Sequence, residues 1–210
     1  TFSVSGEVGN LMTIRSLASG AHYLKQATII DYYPSSFKNT FNNEPYASSG
    51  KTHDGFGQSF SVTSSVTLDS CAFQLYRFGS PTGSVYADIY AHSGTYGTSS
   101  LPTGVALATS DAVDITTVSG GVSALKAFTF SGANRITLSA ATKYVVVIRY
   151  SDPSADYDNG LGLYSDSTYL FHGGNKVYHT VEGGWVAVPG QEMIFYVYGS
   201  TPSVISREYL

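Results

Sequence analysis

Polar and apolar side chains alternate in the stretch SVYADIYAH, residues 84–92. Because successive side chains of a β-strand point to opposite faces, Tyr86, Asp88, Tyr90 and His92 would share one face. Tyrosine rings stack on sugar rings, and a nearby carboxylate or imidazole can hydrogen-bond sugar hydroxyls. Together with Trp185 from the segment EGGWVAV, these side chains form a candidate glycan-binding site. The alternative is that they pack beneath a loop or against another subunit.

Two further tyrosine pairs show strand spacing. Tyr144 and Tyr150 lie in one alternating segment, and Tyr196 and Tyr198 lie in another. We expect similar aromatic rows at both places.

Clustered oxygen ligands occur in the segment SDPSADYDNG, residues 151–160. Calcium binds carboxylate and amide oxygens that converge in a turn, which makes Asp152, Asp156, Asp158 and Asn159 a candidate calcium site. The full spacing of an EF-hand loop is missing, and Asp and Asn before Gly are also ordinary turn formers. We expect no other cofactor.

The sequence offers no motif for catalysis. The five histidines form no pair at metal-ligand spacing on a helix, and no Gly-x-Ser-x-Gly motif supplies a nucleophile. The segment SSGKT lacks the first glycine of a phosphate-binding loop, because Pro45 occupies that position. We therefore expect a protein that is not an enzyme. The alternative is a jelly-roll lyase or hydrolase, in which carboxylates such as Glu44, Glu182 and Glu192 would meet in space.

The elements that position these residues are predicted to be β-strands. Hydrophobic residues recur with period two, and helical spacing never persists for more than about two turns. Runs rich in Val, Ile, Tyr, Phe and Thr predict strands near 26–32, 56–62, 72–79, 84–92, 125–131, 134–138, 142–151, 161–165, 175–179, 184–188 and 191–198. The sole cysteine, Cys71, alternates with Phe73 and Leu75 and is predicted to be a buried core thiol.

The apolar run YVVVI within residues 142–151 predicts a central strand that is buried on both faces. Such a strand needs a second layer, so we predict an all-β fold: a two-sheet antiparallel β-sandwich of jelly-roll type. The predicted domain organisation is an N-terminal arm at 1–25, the sandwich at 26–199 and a C-terminal tail at 200–210. Both arms carry apolar residues without an evident partner strand, namely Phe2, Val4, Leu11, Met12, Ile14, Val204, Ile205, Tyr209 and Leu210.

Charge excludes two classes of partner. Charged residues make up 12% of the chain, its formal net charge is −4, and Lys and Arg form no run. The attraction that supplies most non-specific affinity for nucleic acid or anionic lipid is therefore missing. No stretch approaches the roughly 18 apolar residues of a membrane span. We expect neither nucleic acid nor membrane as a partner.

Several segments, among them FGQSFSV, LYRFGSPTGSVYADIYAHSGTYG, FTFSGANRITLSAATKYVVVIRYS and EMIFYVYG, together resemble a group of β-sandwich domains. These domains occur in phage and metagenomic virion proteins, including tail-fibre-like and capsid-decoration proteins, and in extracellular carbohydrate-binding modules of jelly-roll type. The resemblance covers roughly residues 25–199 and implies a general binding scaffold.

From this resemblance and the apolar arms we expect a non-enzymatic structural protein of a virion surface. Its partners would be copies of itself, other virion proteins and host-surface glycans. We expect a homo-oligomer, with a trimer favoured. The alternative is a secreted carbohydrate-binding module that recognises glycans through its surface tyrosines.

Overall fold

The computed structural model describes residues 12–16, 22–34, 40–42, 53–151, 159–168, 172–180 and 183–204. The strands of these residues are β1 (Met12–Ser16), β2 (His22–Tyr33), β3 (Thr40–Asn42), β4 (His53–Val62), β5 (Val66–Phe78), β6 (Ser84–Ser93), β7 (Leu101–Thr109), β8 (Val113–Asp114), β9 (Ala124–Thr129), β10 (Thr137–Leu138), β11 (Thr142–Ser151), β12 (Gly160–Asp166), β13 (Lys176–Thr180), β14 (Gly184–Val188), β15 (Glu192–Met193) and β16 (Phe195–Val204). Two single 3-10 turns cover Ile115–Thr117 and Gly132–Asn134.

The strands form two antiparallel sheets. Sheet A has nine strands in the order β1-β2-β16-β5-β12-β15, with β9 and β10 beside β5 and β3 beside β12. Sheet B has seven strands in the order β14-β13-β4-β11-β6-β7, with β8 beside β6. The chain passes repeatedly from one sheet to the other, as in a jelly roll, so each sheet combines strands that are distant in sequence. The predicted all-β, two-sheet antiparallel sandwich is confirmed.

Alternation of side chains builds the core between the sheets. On β5, Cys71, Phe73 and Leu75 point inward and are fully buried, while Ala72 and Gln74 between them point to the opposite face. Other strands of both sheets contribute inward-pointing side chains in the same way, including Phe60, Val85, Ala87, Ile89, Phe128, Phe195 and Val197. Burial of each large apolar side chain contributes about 1.5–3 kcal/mol, so this layer is the main source of stability.

Strand β11 is buried on both of its faces. Val146 and Ile148 belong to the core between the sheets, whereas Val145 and Val147 point the other way and are still 0% and 2% exposed. With Val177 of β13 they form a second apolar cluster on the outer side of sheet B. The prediction that this strand is covered twice is confirmed.

Some elements differ from the predicted strands. Strand β7 was not predicted, because Pro102 and Gly104 interrupt its pattern, but its place at the edge of sheet B tolerates both residues. The predicted strands near 125–131 and 134–138, which follow each other in the sequence, do not pair with each other. The observed strands in these regions, β9 and β10, both pair with β5 instead. No helix in the described ranges is long and apolar enough to cross a membrane.

Part of the predicted N-terminal arm forms a strand of sheet A. Met12 and Ile14 lie in β1, which pairs with β2, and Val204 ends β16, which pairs with β2 on its other side. Strands β2 and β16 continue through the expected boundaries at 25/26 and 199/200, and the division into arm, sandwich and tail stays a prediction. The remaining apolar arm residues lie outside the described residues: Phe2, Val4, Leu11, Ile205, Tyr209 and Leu210.

The buried thiol of Cys71 reports on this core. Burial, followed by the nearby charge of Asp88, raises the pKa of Cys71 far above its ordinary value, so the reactive thiolate is absent from the folded protein. We expect no labelling of the native protein by a thiol reagent at pH 8, and labelling in urea that follows global unfolding. The control is Ser64→Cys in the exposed turn after β4, which should label at once. Native labelling of Cys71 at the control's rate would contradict the assignment.

Candidate functional site

The outer face of sheet B collects side chains from five neighbouring strands at one level. Register pairs Trp185 of β14 with His179 of β13, and His179 with Gly55 of β4. Gly55 in turn lies opposite Arg149 of β11, and Arg149 lies opposite Tyr86 of β6. Side chains directly opposite each other on one face of a sheet are in contact distance. This row therefore places aromatic and cationic groups on both sides of a glycine.

Two glycines allow Trp185 to lie across the sheet. A Cβ atom at Gly55 would be 3.2 Å from Cη2 of Trp185, and a Cβ at Gly57 would be 2.6 Å from the carbonyl oxygen of Val146. The side chains of Val147 and Val177 also close over Gly57 from both sides. A larger residue at either position would displace the indole ring or the valines.

The valines of the second apolar cluster form a floor that aromatic rings cover. Tyr90 and Trp185, together with Leu101, pack against the cluster of Val145, Val147 and Val177. The centroids of the Tyr90 and Trp185 rings are 6.3 Å apart, with their planes at 60°. Both side chains are half-buried, so each ring keeps part of its surface in contact with solvent. We call Tyr86, Tyr90 and Trp185, with the valine floor, the aromatic face.

An ion pair lies beside the aromatic face. Arg149 Nε donates to Asp88 Oδ2 at 2.8 Å, and the Thr109 hydroxyl donates to Asp88 Oδ1 at 2.7 Å. The guanidinium also lies over the ring of Tyr86, 4.8 Å from its centroid. The hydrogen bond to Asp88 raises the pKa of Arg149, and burial together with the charge of Asp88 raises the pKa of Tyr90. Arg149 therefore stays charged and Tyr90 stays a neutral hydroxyl in water.

The structure brings most of the predicted glycan-binding residues together. Tyr86, Asp88, Tyr90 and Trp185 share the outer face of sheet B, as the alternation predicted for the first three. His92 lies further along β6, where its Nε2 is 2.9 Å from the Ser100 hydroxyl. Burial and the charge of Lys143 lower the pKa of His92, so it is a neutral neighbour of the face. Whether these residues bind a glycan stays a prediction.

Three of the four candidate calcium ligands, Asp152, Asp156 and Asp158, lie outside the described residues. The fourth, Asn159, uses its side-chain oxygen to accept a hydrogen bond of 2.7 Å from the backbone N–H of Ser80. Within the described part of the chain, no group of three His, Cys, Asp or Glu side chains is arranged to hold a metal ion. Calcium binding stays a prediction.

One of the two further tyrosine rows is an error of the sequence analysis. Tyr144 and Tyr150 point inward, are 7% and 5% exposed and belong to the core. Their hydroxyls are satisfied there, since Tyr144 accepts from the backbone N–H of Ser139 and Tyr150 donates to the carbonyl of Thr82. Tyr196 and Tyr198 do form an outward row on sheet A, with centroids 6.1 Å apart.

A buried polar cluster that sequence reasoning missed ties the sheets together. His172 Nδ1 is 3.2 Å from Glu192 and its Nε2 is 3.0 Å from Asp31, both residues of sheet A. Asp31 accepts from the backbone N–H of Ser61 in sheet B at 2.8 Å, and Gln58 of sheet B hydrogen-bonds Glu192. Alternation assigns Gln58 to the core face, but the partners come from segments distant in sequence.

Comparisons with known proteins found only limited similarity. No family model matches this chain, and no curated protein shows significant sequence similarity to it. Among solved structures, the chain is similar to that of the cysteine protease and lectin-like domains of Cwp84, a surface layer associated protein of Clostridium difficile. The identity is 13%, the TM-score is 0.41, and the match covers 80% of this chain and 37% of that chain. What the aromatic face binds is therefore inferred from its own geometry.

The His172 cluster gives stability a pH dependence. Burial alone would lower the pKa of His172, but the carboxylates of Asp31 and Glu192 raise it from 6.5 to about 9. The folded state therefore holds this proton more tightly than the unfolded chain. The resulting stabilisation is complete below about pH 6.5 and is lost as the pH rises toward 9. Tyr96, whose ring lies 6.4 Å from the imidazole, stays neutral in this window because burial raises its pKa.

We expect the free energy of unfolding, measured with urea, to fall between pH 6.5 and 9 by up to roughly 1.4 kcal/mol per pH unit. His172→Gln should flatten this dependence, because glutamine does not titrate. A free energy of unfolding that stays level or rises in the unmodified protein over this window would contradict the protonated His172.

Proposed function

We propose that this domain binds carbohydrate on the outer face of sheet B. The observation that carries the proposal is the placement of Trp185 and Tyr90 over a valine floor, with Arg149 held beside them by Asp88. A sugar ring presents C–H bonds on its faces and hydroxyls at its edge. The two rings match the first feature, and the guanidinium and the tyrosine hydroxyls match the second.

The physical cost of binding at such a face is small. Glycines and valines beneath the rings fix the position of Trp185, so little side-chain freedom is left to lose when a ligand stacks on it. The face is also the open surface of a sheet, which suits a glycan chain or glycan terminus that lies along the strands.

We further propose binding without catalysis. Asp88, the carboxylate beside the rings, accepts hydrogen bonds on both of its oxygens and is 1% exposed. A general base has to lie within hydrogen-bond reach of the substrate, and burial keeps the Asp88 carboxylate out of that reach. Prolonged incubation of a bound oligosaccharide should therefore leave its chain length unchanged by mass spectrometry.

We expect Trp185→Ala and Tyr90→Ala each to weaken glycan binding about tenfold or more, because each removes a stacking ring. Trp185→Phe should keep most of the binding, since it retains a ring. Affinities would be measured by isothermal titration with a ligand identified on a glycan array.

The control is Val105→Ala on β7, an 83% exposed side chain of the same sheet that should leave affinity unchanged. Thermal midpoints of all variants show whether the fold is intact. If a broad array detects no ligand for the unmodified protein, the proposed function is wrong.

A second candidate function is association between copies of the chain through sheet A. Three tyrosine rings stack in a row on its outer face. The ring centroids of Tyr32 and Tyr196 are 5.7 Å apart, with their planes at 13°. Those of Tyr196 and Tyr198 are 6.1 Å apart, with their planes at 9°. Ile29, Tyr32 and Leu125 are about half exposed, at 46%, 47% and 53%. Uncharged side chains of the described neighbouring strands lie beside these tyrosines, namely Ile29, Ser70, Ala72, Gln74, Leu125, Ala127 and Thr129.

An uncharged, flat, tyrosine-rich surface lets identical copies approach without repulsion. This supports the self-association that the sequence analysis predicted, and with it the structural role at a virion surface and the trimer, which we retain as proposals. Both functions can operate in one molecule, because the two faces lie on opposite sides of the sandwich.

We expect sedimentation velocity of the unmodified chain at about 50 µM to show an oligomer, and Tyr32→Glu to shift it toward the monomer, because charge would be buried in the contact. Val105→Glu on sheet B is the charge-matched control and should leave the oligomer intact. A monomeric unmodified protein at this concentration would overturn the second candidate.

A further inference from the structure

We infer that the ligand of the aromatic face is an acidic glycan, and that the guanidinium of Arg149 receives one of its carboxylates. This inference rests on the proposed carbohydrate-binding function and names the chemical class of the ligand. It was not accessible from the sequence, where Arg149 follows the apolar run YVVVI without any feature that marks it.

Arg149 has a fixed position and unused donors. Its hydrogen bond to Asp88 is made through Nε, and the ring of Tyr86 supports the plane of the guanidinium. Within the described part of the chain, Nη1 and Nη2 make no hydrogen bond. The side chain is 43% exposed, whereas that of Asp88 is 2% exposed. The two terminal nitrogens are thus the accessible part of a preorganised group.

The geometry of these donors favours a carboxylate. The paired N–H groups of a guanidinium match the two oxygens of a carboxylate, and charge-assisted bonds of this kind are about twice as strong as neutral ones. Asp88 does not compete for the ligand side of Arg149, since it contacts Nε and its other oxygen is occupied by Thr109. A neutral sugar would offer the two terminal nitrogens only uncharged hydroxyl oxygens, whose hydrogen bonds to a guanidinium are weaker than those of a carboxylate.

A second cationic side chain, that of Lys143, lies further along β11 and also favours an acidic glycan. Lys143 lies on the same face of β11 as Arg149, six residues away, which places the Cα atoms of the two residues roughly 20 Å apart. Lys143 is exposed, and its Nζ lies 4.1 Å from the centroid of the Tyr96 ring. Tyr90 and Val145 lie between the two cations. A glycan chain along β11 would meet a cation at each end and an aromatic ring between them.

The test uses the full chain on an array of matched glycan pairs, in which each acidic glycan is printed beside its neutral counterpart. Suitable pairs are sialylated and desialylated oligosaccharides, polygalacturonate and alginate beside their carboxyl-reduced forms, and sulfated glycans beside desulfated ones. We expect the carboxylate member of at least one pair to bind about tenfold or more tightly than its neutral partner. Because this comparison uses the unmodified protein, it does not depend on how any variant folds.

Variants then assign the effect to Arg149. Arg149→Gln should abolish the difference between the two members of the pair, and Arg149→Lys, which keeps the charge without the paired donors, should retain only part of it. Lys126→Gln is the control, because it removes a positive charge from sheet A, where Lys126 bonds Thr117. Equal weakening by Lys126→Gln would show general electrostatics and overturn the inference.

The outcomes separate this inference from the proposed function. Equal binding of acidic and neutral members, with loss of both in Trp185→Ala, would overturn the acidic ligand and leave carbohydrate binding intact. Binding limited to sulfated members would also overturn the carboxylate. Absence of binding to every glycan would remove the proposed function and the inference with it.

Discussion

Strand β11 imposes the constraint on which the rest of this structure depends, because its valines and isoleucine are apolar on both sides. One side is satisfied by the core between the sheets, through Val146 and Ile148. The other side, Val145 and Val147, faces outward and has to be kept from water by other means. Leaving these side chains exposed would forfeit about 1.5–3 kcal/mol for each.

The cover of the outer valines places two aromatic rings at the proposed binding surface of sheet B. No third layer is packed there by the described residues; Tyr90 and Trp185 cover the valines from within the sheet itself. Gly55 and Gly57 have no side chains and therefore leave room for these rings, and the ion pair of Arg149 with Asp88 lies beside them. The rings therefore have a structural reason to be held rigidly, and rigidity is also what a stacking site requires. Folding and the proposed recognition draw on the same side chains.

Alternation of polar and apolar residues within a single strand predicted the structure correctly at several places. Alternation located β5, β6 and β11, assigned Cys71 to the core and grouped Tyr86, Asp88 and Tyr90 on one face. It was wrong about Tyr144 and Tyr150, because an aromatic side chain has the same spacing on either face of a strand and only the packing decides which face is inside. Groupings that depend on strand pairing, such as Arg149 with Asp88 or His172 with Asp31, could not be read from single segments.

The order of strands in the two sheets has a consequence for biosynthesis. Every strand of sheet B has been synthesised once β14 is made, whereas sheet A needs β16, which lies between β2 and β5. Until β16 is made, the edge of β5 between Thr67 and Phe73 lacks the strand with which it pairs. Such an edge invites pairing with other chains. In the folded protein, β16 occupies this edge of β5 and protects it from such pairing.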